Sequence, residues 1–180
     1  ELANYIRERA DVDPDKLAAS IALVDGEQYA AGDSDVEFTI QSISKPFVYA
    51  LALADRGYDD VLAKVGVEPS GEPFNELSLE DGSGKPLNPM INAGAITTHS
   101  LVGPPGATQG ERMERVISGL SAFAGRRLSV NERVYESELE HAHRNYAIAH
   151  MLRGHGILPG DPTVAVQGYP RQCSLMVPVK

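Results

Sequence analysis

An Asp-Gly pair near the start of the chain separates two apolar runs. The runs cover residues 17–24 and 28–33, and Asp25-Gly26 lies between them. Because Asp-Gly between apolar runs favours a tight turn, the pattern predicts a β-hairpin. Predicted helices follow over residues 42–56, 92–101, 108–124 and 136–153, and a short one begins at 161. A hairpin followed mostly by helices predicts an α+β fold, without the alternation that builds a parallel sheet.

The predicted helices have recognisable ends. Gly57 is a typical C-terminal stop for the first helix, and Gly154 closes the helix over 136–153. Thr108 is a candidate N-cap, and Asp161-Pro162 is a suitable N-cap and first-turn pair. Residues 66–90 are rich in Gly, Pro, Asn and Ser and predict a long irregular segment of the kind that often carries function.

Composition excludes several classes of function. The chain has 180 residues, 42% of them hydrophobic and 23% charged, which is typical of one soluble globular domain. Its net charge of −9 argues against nucleic acid as a partner, because phosphate binding requires clustered Lys and Arg. The longest apolar run, residues 47–54, is far too short to span a membrane.

The expected compartment is the cytoplasm. The first residues carry neither a basic stretch nor an apolar one, so no signal peptide is expected. The chain has a single cysteine, Cys173, which cannot form an internal disulfide and is expected to be buried and structural. Both features fit a reducing compartment.

Ser42 and Lys45 form an S-x-x-K pair at the start of the first predicted helix. Residues three apart lie on one helix face, so the amine could take the proton of the hydroxyl. On spacing alone, Ser42 is more readily explained as a helix cap, with Lys45 in water. Gln41 and the apolar neighbours Ile40 and Ile43 favour instead the half-buried setting that lowers a lysine pKa.

Glu138 and Asn145 lie seven residues apart in the predicted helix over 136–153. Two turns would bring them to one face, where a carboxylate and an amide could hold an ammonium and a polar group. On spacing alone, an ordinary exposed stripe explains the two residues more readily.

Histidines in the same segment suggest a metal site that the geometry does not support. Glu138-x-x-His141 and Glu140-x-x-His143 overlap in the one predicted helix, offset by two residues, and so point roughly 200° apart. Neither a zinc-protease motif nor a nucleotide-binding glycine motif is present in the sequence. No metal and no cofactor are therefore predicted.

Several longer pieces of the sequence closely resemble the serine-dependent glutaminase family. They keep the order of that family and span nearly the whole chain. The pieces are Gln41-Ser42-Ile43-Ser44-Lys45, Val67-Glu68-Pro69-Ser70-Gly71, Phe74-Asn75, Asn88-Pro89-Met90-Ile91-Asn92-Ala93-Gly94-Ala95-Ile96, Ser137-Glu138, Arg144-Asn145 and Gln172-Cys173-Ser174.

The resemblance implies a serine β-lactamase/transpeptidase-like fold, in which helices pack an antiparallel sheet. It also implies that residues 1–180 are the N-terminal portion of a single glutaminase domain that is incomplete at its C-terminal side. Members of the family continue with further helices and strands, which supply a second active-site tyrosine and a glycine-rich strand segment of the oxyanion hole.

The same resemblance implies roles for individual residues in hydrolysis of L-glutamine to L-glutamate and ammonia. Ser42 would be the nucleophile and Lys45 its base or proton shuttle. The substrate pocket would comprise Gln41, Ser42, Asn92, Glu138, Asn145 and Tyr169, with Glu138 on the substrate ammonium. Tyr5 resembles a mobile tyrosine that closes over the ligand. A homodimer or homotetramer is implied as well.

Two alternatives remain open from the sequence. A penicillin-interacting serine acyltransferase would share the fold, although S-D-N and K-T-G elements are absent from the sequence. A non-catalytic or weakly binding truncated fragment is the other alternative, because part of the catalytic set lies outside these residues.

Overall fold

The computed structural model describes residues 13–73, 76 and 78–180, and within them it has an α+β architecture. The described residues form seven α-helices and two small antiparallel sheets. The strands are β1 (Ala18–Ala22), β2 (Gln28–Gly32), β3 (Phe38–Thr39) and β4 (Met176–Val177). The helices are α1 (Ser44–Arg56), α2 (Tyr58–Leu62), α3 (Asn92–Leu101), α4 (Gln109–Phe123), α5 (Glu132–Glu140), α6 (His143–Gly154) and α7 (Pro162–Cys173).

Strand pairing confirms the predicted hairpin. β1 and β2 are antiparallel, with Ala18 opposite Gly32 and Ala22 opposite Gln28. Gly26 supplies the positive φ, 93°, that the connecting turn requires. β3 and β4 form a separate antiparallel pair, so the end of the chain lies beside the strand that leads into Ser42.

The helix ends that the sequence predicts are confirmed for α1, α4 and α7. α1 stops at Gly57, whose positive φ of 79° is one that glycine adopts readily. Thr108 accepts a hydrogen bond from the Glu111 N–H, and the Glu111 carboxylate accepts one from the Thr108 N–H, which is a complete capping box. Asp161 caps α7 by accepting from the N–H of Thr163.

The prediction of a single helix over residues 136–153 is wrong. α5 begins earlier, where Asn131 accepts from the N–H of Val134, and the helical path is interrupted at His141 and Ala142. Ring atom Nδ1 of His141 lies 2.7 Å from the carbonyl oxygen of Ser137 and so satisfies an acceptor at the helix end. The sequence correctly predicts helix on both sides of His141 and Ala142. It wrongly predicts that the two helical segments are continuous.

α3 lies at the centre of the molecule. Nine of its ten residues, 93–101, are buried, and it packs against α1, α6 and α7. One buried cluster combines α3 with α6 and α7, and a second combines α1 with α4. Because α3 is enclosed on most sides, its first residue, Asn92, is held firmly at the place where α1 and α7 meet it.

Among the described residues, no helix has both the length and the apolar character needed to cross a membrane.

The small residues of α3 lead to a stability prediction. A Cβ at Gly94 would overlap the carbonyl oxygen of Asn88, which is backbone and cannot move aside. We expect Gly94→Ala to lower the free energy of unfolding by about 3 kcal/mol or more, as overpacking of a rigid site does. Gly110→Ala is the matched control, because a Cβ on that helical glycine meets no atom within 4 Å. Urea unfolding that gives the two variants equal stability would contradict the packing of α3.

Candidate active site

The turn that carries Ser42 has an unusual backbone. Between β3 and α1 the chain forms a 3-10 turn, Gln41–Ile43. Gln41 has a φ of 52°, and it is the one non-glycine residue with a positive φ in the part of the chain that the structure describes. Its side-chain Nε2 donates to Thr39 Oγ1 at 2.9 Å. Such a conformation persists only where the surroundings enforce it, and here it leaves Ser42 exposed just before α1.

Lys45 lies one helical turn beyond Ser42 and points into the protein. Its side chain is almost completely buried, with 3% of the residue exposed. The Nζ atom donates to the carbonyl oxygen of Met90 at 2.7 Å and to Asn92 Oδ1 at 3.0 Å. Burial lowers the pKa of Lys45 from 10.5 to about 8. At neutral pH an appreciable fraction of the amine is therefore neutral and able to accept a proton.

Asn92 connects Lys45, Asn145 and Tyr169. Together with Ser42, these residues form the candidate-site cluster. Its Oδ1 accepts from Lys45 and also from the Tyr169 hydroxyl, at 3.2 Å. Its Nδ2 donates to Asn145 Oδ1 at 3.4 Å. One amide at the start of α3 thus joins residues from α1, α6 and α7.

Tyr169 lies beside Ser42. It is 5% exposed, and burial raises the pKa of its phenol well above the ordinary value. A hydrogen bond with Ser42 lowers the pKa of Tyr169, whereas the charge of Glu138 raises it further. Burial likewise raises the pKa of Cys173 to about 12, with Glu138 as the second cause. The carboxylate of Glu138 is therefore electrostatically close to the cluster.

Glu138 and Asn145 are not positioned by one helix, although the sequence predicts that they are. They do not share a helix face, because Glu138 belongs to α5 and Asn145 to α6, on either side of the interruption at His141. Contacts between helices bring both residues to the cluster. Asn145 accepts from Asn92, and the charge of Glu138 acts on Tyr169 and Cys173. The helical-periodicity argument, which required one continuous helix, was wrong.

Two of the expected elements, Tyr5 and the Phe74-Asn75 pair, lie outside the described residues. Within the described ranges, no group of three or more His, Cys, Asp or Glu side chains could hold a metal ion. The interruption at His141 also means that the two E-x-x-H units do not belong to one helix.

Comparison with known proteins identifies the family. A family model described as Glutaminase matches residues 1–180. The chain belongs to the glutaminase family. A glutaminase of Corynebacterium efficiens is 50% identical over 177 residues, which cover 98% of this chain and 42% of that protein. A glutaminase of Trichormus variabilis is 47% identical over 176 residues, which cover 98% of this chain and 52% of that protein.

Solved structures agree with the family assignment. A crystal structure of Mglu in its glutamate form superposes with a TM-score of 0.95 at 50% identity, covering 100% of this chain and 41% of that one. A probable glutaminase of Bacillus subtilis gives a TM-score of 0.82 at 37% identity. The match covers 89% of this chain and 51% of that one. The chain thus spans about half the length of the glutaminases it matches, and its fold is a partial one.

Sequence reasoning missed the Met90 carbonyl oxygen and the side chains beneath the Ser42 turn. Met90 lies inside the Asn88–Ile96 piece of the glutaminase resemblance, but a main-chain acceptor leaves no residue-type signal. Ser44 and Gln172 also lie in recognised pieces, and their side chains bond to each other at 2.9 Å. Nothing in the spacing of either residue indicates that contact.

Proposed function

We propose that the protein carrying this chain hydrolyses L-glutamine to L-glutamate and ammonia, with Ser42 as nucleophile and Lys45 as base. The observation that supports this most strongly is the buried Lys45 amine, with a pKa of about 8, one helical turn from an exposed serine. Family membership supports the choice of substrate and reaction.

In the first half of the reaction, the neutral Lys45 Nζ takes the proton of the Ser42 hydroxyl as Oγ attacks the side-chain amide carbon of glutamine. The C–N bond then breaks, and the Lys45 ammonium gives the proton to the departing nitrogen, which leaves as ammonia. The product bound to the enzyme is a glutamyl ester of Ser42. In the second half, Lys45 takes a proton from water, the hydroxide attacks the ester, and the Ser42 oxygen recovers the proton.

The surroundings of Lys45 suit a base that must alternate between two charge states. Met90 O and Asn92 Oδ1 are both acceptors, so they stabilise the ammonium form when it appears. Burial opposes that form. The balance gives a pKa near the pH at which general-base catalysis is most efficient.

The recognition of a free amino acid requires partners for two charged groups, because an unpaired buried charge is costly. We assign the substrate ammonium to Glu138, whose charge already influences Tyr169 and Cys173. The amides of Gln41, Asn92 and Asn145 and the Tyr169 hydroxyl are assigned to the polar groups of the substrate, its carboxylate included.

The Glu138 assignment predicts a large effect on substrate binding. In the full natural protein, Glu138→Gln is expected to raise KM for L-glutamine by about 30-fold or more, because the substrate ammonium loses its charged partner. Glu136→Gln is the control, since Glu136 is exposed on the same helix, α5. Ammonia release at varied glutamine concentration measures both. A KM for Glu138→Gln that matches the control would refute the assignment.

We also propose that residues 1–180 form the N-terminal portion of one β-lactamase-like domain, acting in the cytoplasm as a homodimer or homotetramer. Residues 1–180 alone are then expected to release little or no ammonia, because the rest of the catalytic set lies outside them. Ammonia release by this piece and by the full natural protein, measured side by side, tests the proposal. Equal turnover per molecule would reject it.

A further inference from the structure

A chain of buried hydrogen bonds lies directly beneath the Ser42 turn. Gln172, on α7, is completely buried, and its Nε2 donates to Ser44 Oγ at 2.9 Å. Ser44, also completely buried, donates its hydroxyl proton to the carbonyl oxygen of Gln41 at 2.6 Å. The backbone N–H of Ser44 donates to the same oxygen. The Gln41 carbonyl is thus held by two donors from one residue.

His99 is the far end of this chain of bonds. Its Nδ1 lies 2.9 Å from Gln172 Oε1. The Gln41 carbonyl can only accept, so Ser44 must donate to it and must accept from the Gln172 amide nitrogen. The Gln172 oxygen then faces His99, and Nδ1 must carry the proton. All three side-chain bonds therefore run in one direction, from His99 through Gln172 and Ser44 to Gln41.

The surroundings keep His99 neutral and fixed. The side chain is completely buried, and burial lowers its pKa to about 4. A Cβ on Gly168 of α7 would overlap the His99 ring, so the imidazole fits closely against that helix. The chain of bonds joins α3, α7 and α1, which are rigid elements of the core.

We propose that His99, Gln172 and Ser44 are positioning residues, which hold Gln41 in its left-handed conformation and thereby direct the Ser42 hydroxyl toward the substrate. Gln41 has no glycine-like freedom, and its φ of 52° needs an external constraint. The two donors on its carbonyl supply that constraint, and a one-directional chain of bonds strengthens each member. The catalytic part of this proposal depends on the proposed function of Ser42.

The test compares variants of the full natural protein. Ser44→Ala and Gln172→Leu are expected to lower kcat for L-glutamine by about 10- to 100-fold, with KM changed less than about threefold, as loss of a supporting contact does. The matched control is Ser100→Ala. Ser100 is a buried serine whose hydroxyl donates to the carbonyl three residues earlier, also at 2.6 Å, but it lies outside the chain of bonds. Its kcat is expected to stay within about twofold of the wild type.

Variants of His99 separate positioning from simple packing. His99→Asn keeps a donor near the place of Nδ1 and is expected to retain more activity than His99→Leu, which fills the space without a donor. Equal kcat values for the two variants would show that His99 acts only through packing and would overturn its part of the proposal.

Nuclear magnetic resonance tests the conformational claim without any substrate. We expect the His99 ring to carry its proton on Nδ1, and the amide coupling of Gln41 to report a positive φ that is lost in Ser44→Ala. An unchanged Gln41 φ in that variant would overturn the proposal, whether or not the protein releases ammonia.

If the wild type releases no ammonia, the proposed function fails, and the Gln41 coupling alone decides the conformational claim. If the wild type is active, an unchanged kcat in both Ser44→Ala and Gln172→Leu would overturn the catalytic part.

Discussion

Replacing Ser42 by alanine is expected to lower kcat for L-glutamine by about 10³-fold or more in the full natural protein, because the covalent route disappears. Ser42 is exposed and lies outside both buried clusters, and Tyr169 keeps its bond to Asn92, so the free energy of unfolding should change by less than about 1.5 kcal/mol. Ser118→Ala is a suitable control, since Ser118 is an exposed serine on α4. Ammonia release at saturating glutamine, together with urea unfolding, measures both effects. Glutamine hydrolysis that survives Ser42→Ala at the control rate would mean that another group is the nucleophile.

Replacing Lys45 is the second change with a large expected effect. Lys45→Met should lower kcat/KM by about 10²- to 10⁴-fold, the usual contribution of a general base. Lys45→Arg should be no better, because a guanidinium stays protonated at any pH the protein tolerates. In the wild type, kcat/KM should rise with pH and level off above an inflection near 8, since only the neutral amine accepts the proton. An inflection that persists unchanged in Lys45→Met would assign it to another group.

The lowered pKa of Lys45 also predicts how stability depends on pH. The unfolded chain binds more protons at this site between pH 8 and 10.5, so the stability contributed by Lys45 rises with pH across that window. Cys173 acts in the opposite direction, because its pKa is raised from 9.0 to about 12 and its contribution falls over that interval. The difference between wild type and Lys45→Met isolates the lysine. A difference that stays constant from pH 8 to 10.5 would contradict a lowered pKa.

Local signals in the sequence were sufficient for much of the fold. The Asp25-Gly26 turn, the stop at Gly57 and the Thr108 cap each depend on bonds within a few residues, and each was predicted correctly. The interruption at His141 was not predicted, because a ring nitrogen satisfies a helix-end carbonyl there and helical periodicity carries no trace of it. The interruption puts Glu138 and Asn145 on separate helices, so their seven-residue spacing does not account for their positions.

The candidate site was predictable only in part, for a related reason. Ser42 and Lys45 are one turn apart, so their spacing alone indicated a possible partnership. The setting of Lys45 depends on Met90 O and on Asn92, which are more than forty residues away in sequence. The bond between Gln172 and Ser44 spans 128 residues. Such contacts arise from the packing of α3 between α1 and α7, and residue spacing does not encode them.

The central claim is that Ser42 becomes a glutamyl ester during turnover. Rapid acid quenching of the full natural protein with excess L-glutamine, followed by peptide mapping by mass spectrometry, tests it directly. The predicted result is a single glutamyl group on the peptide that contains Ser42, absent from Ser42→Ala and from samples without glutamine. Steady ammonia release with the glutamyl group on any other peptide, or with no modified peptide at any quench time, would contradict the claim.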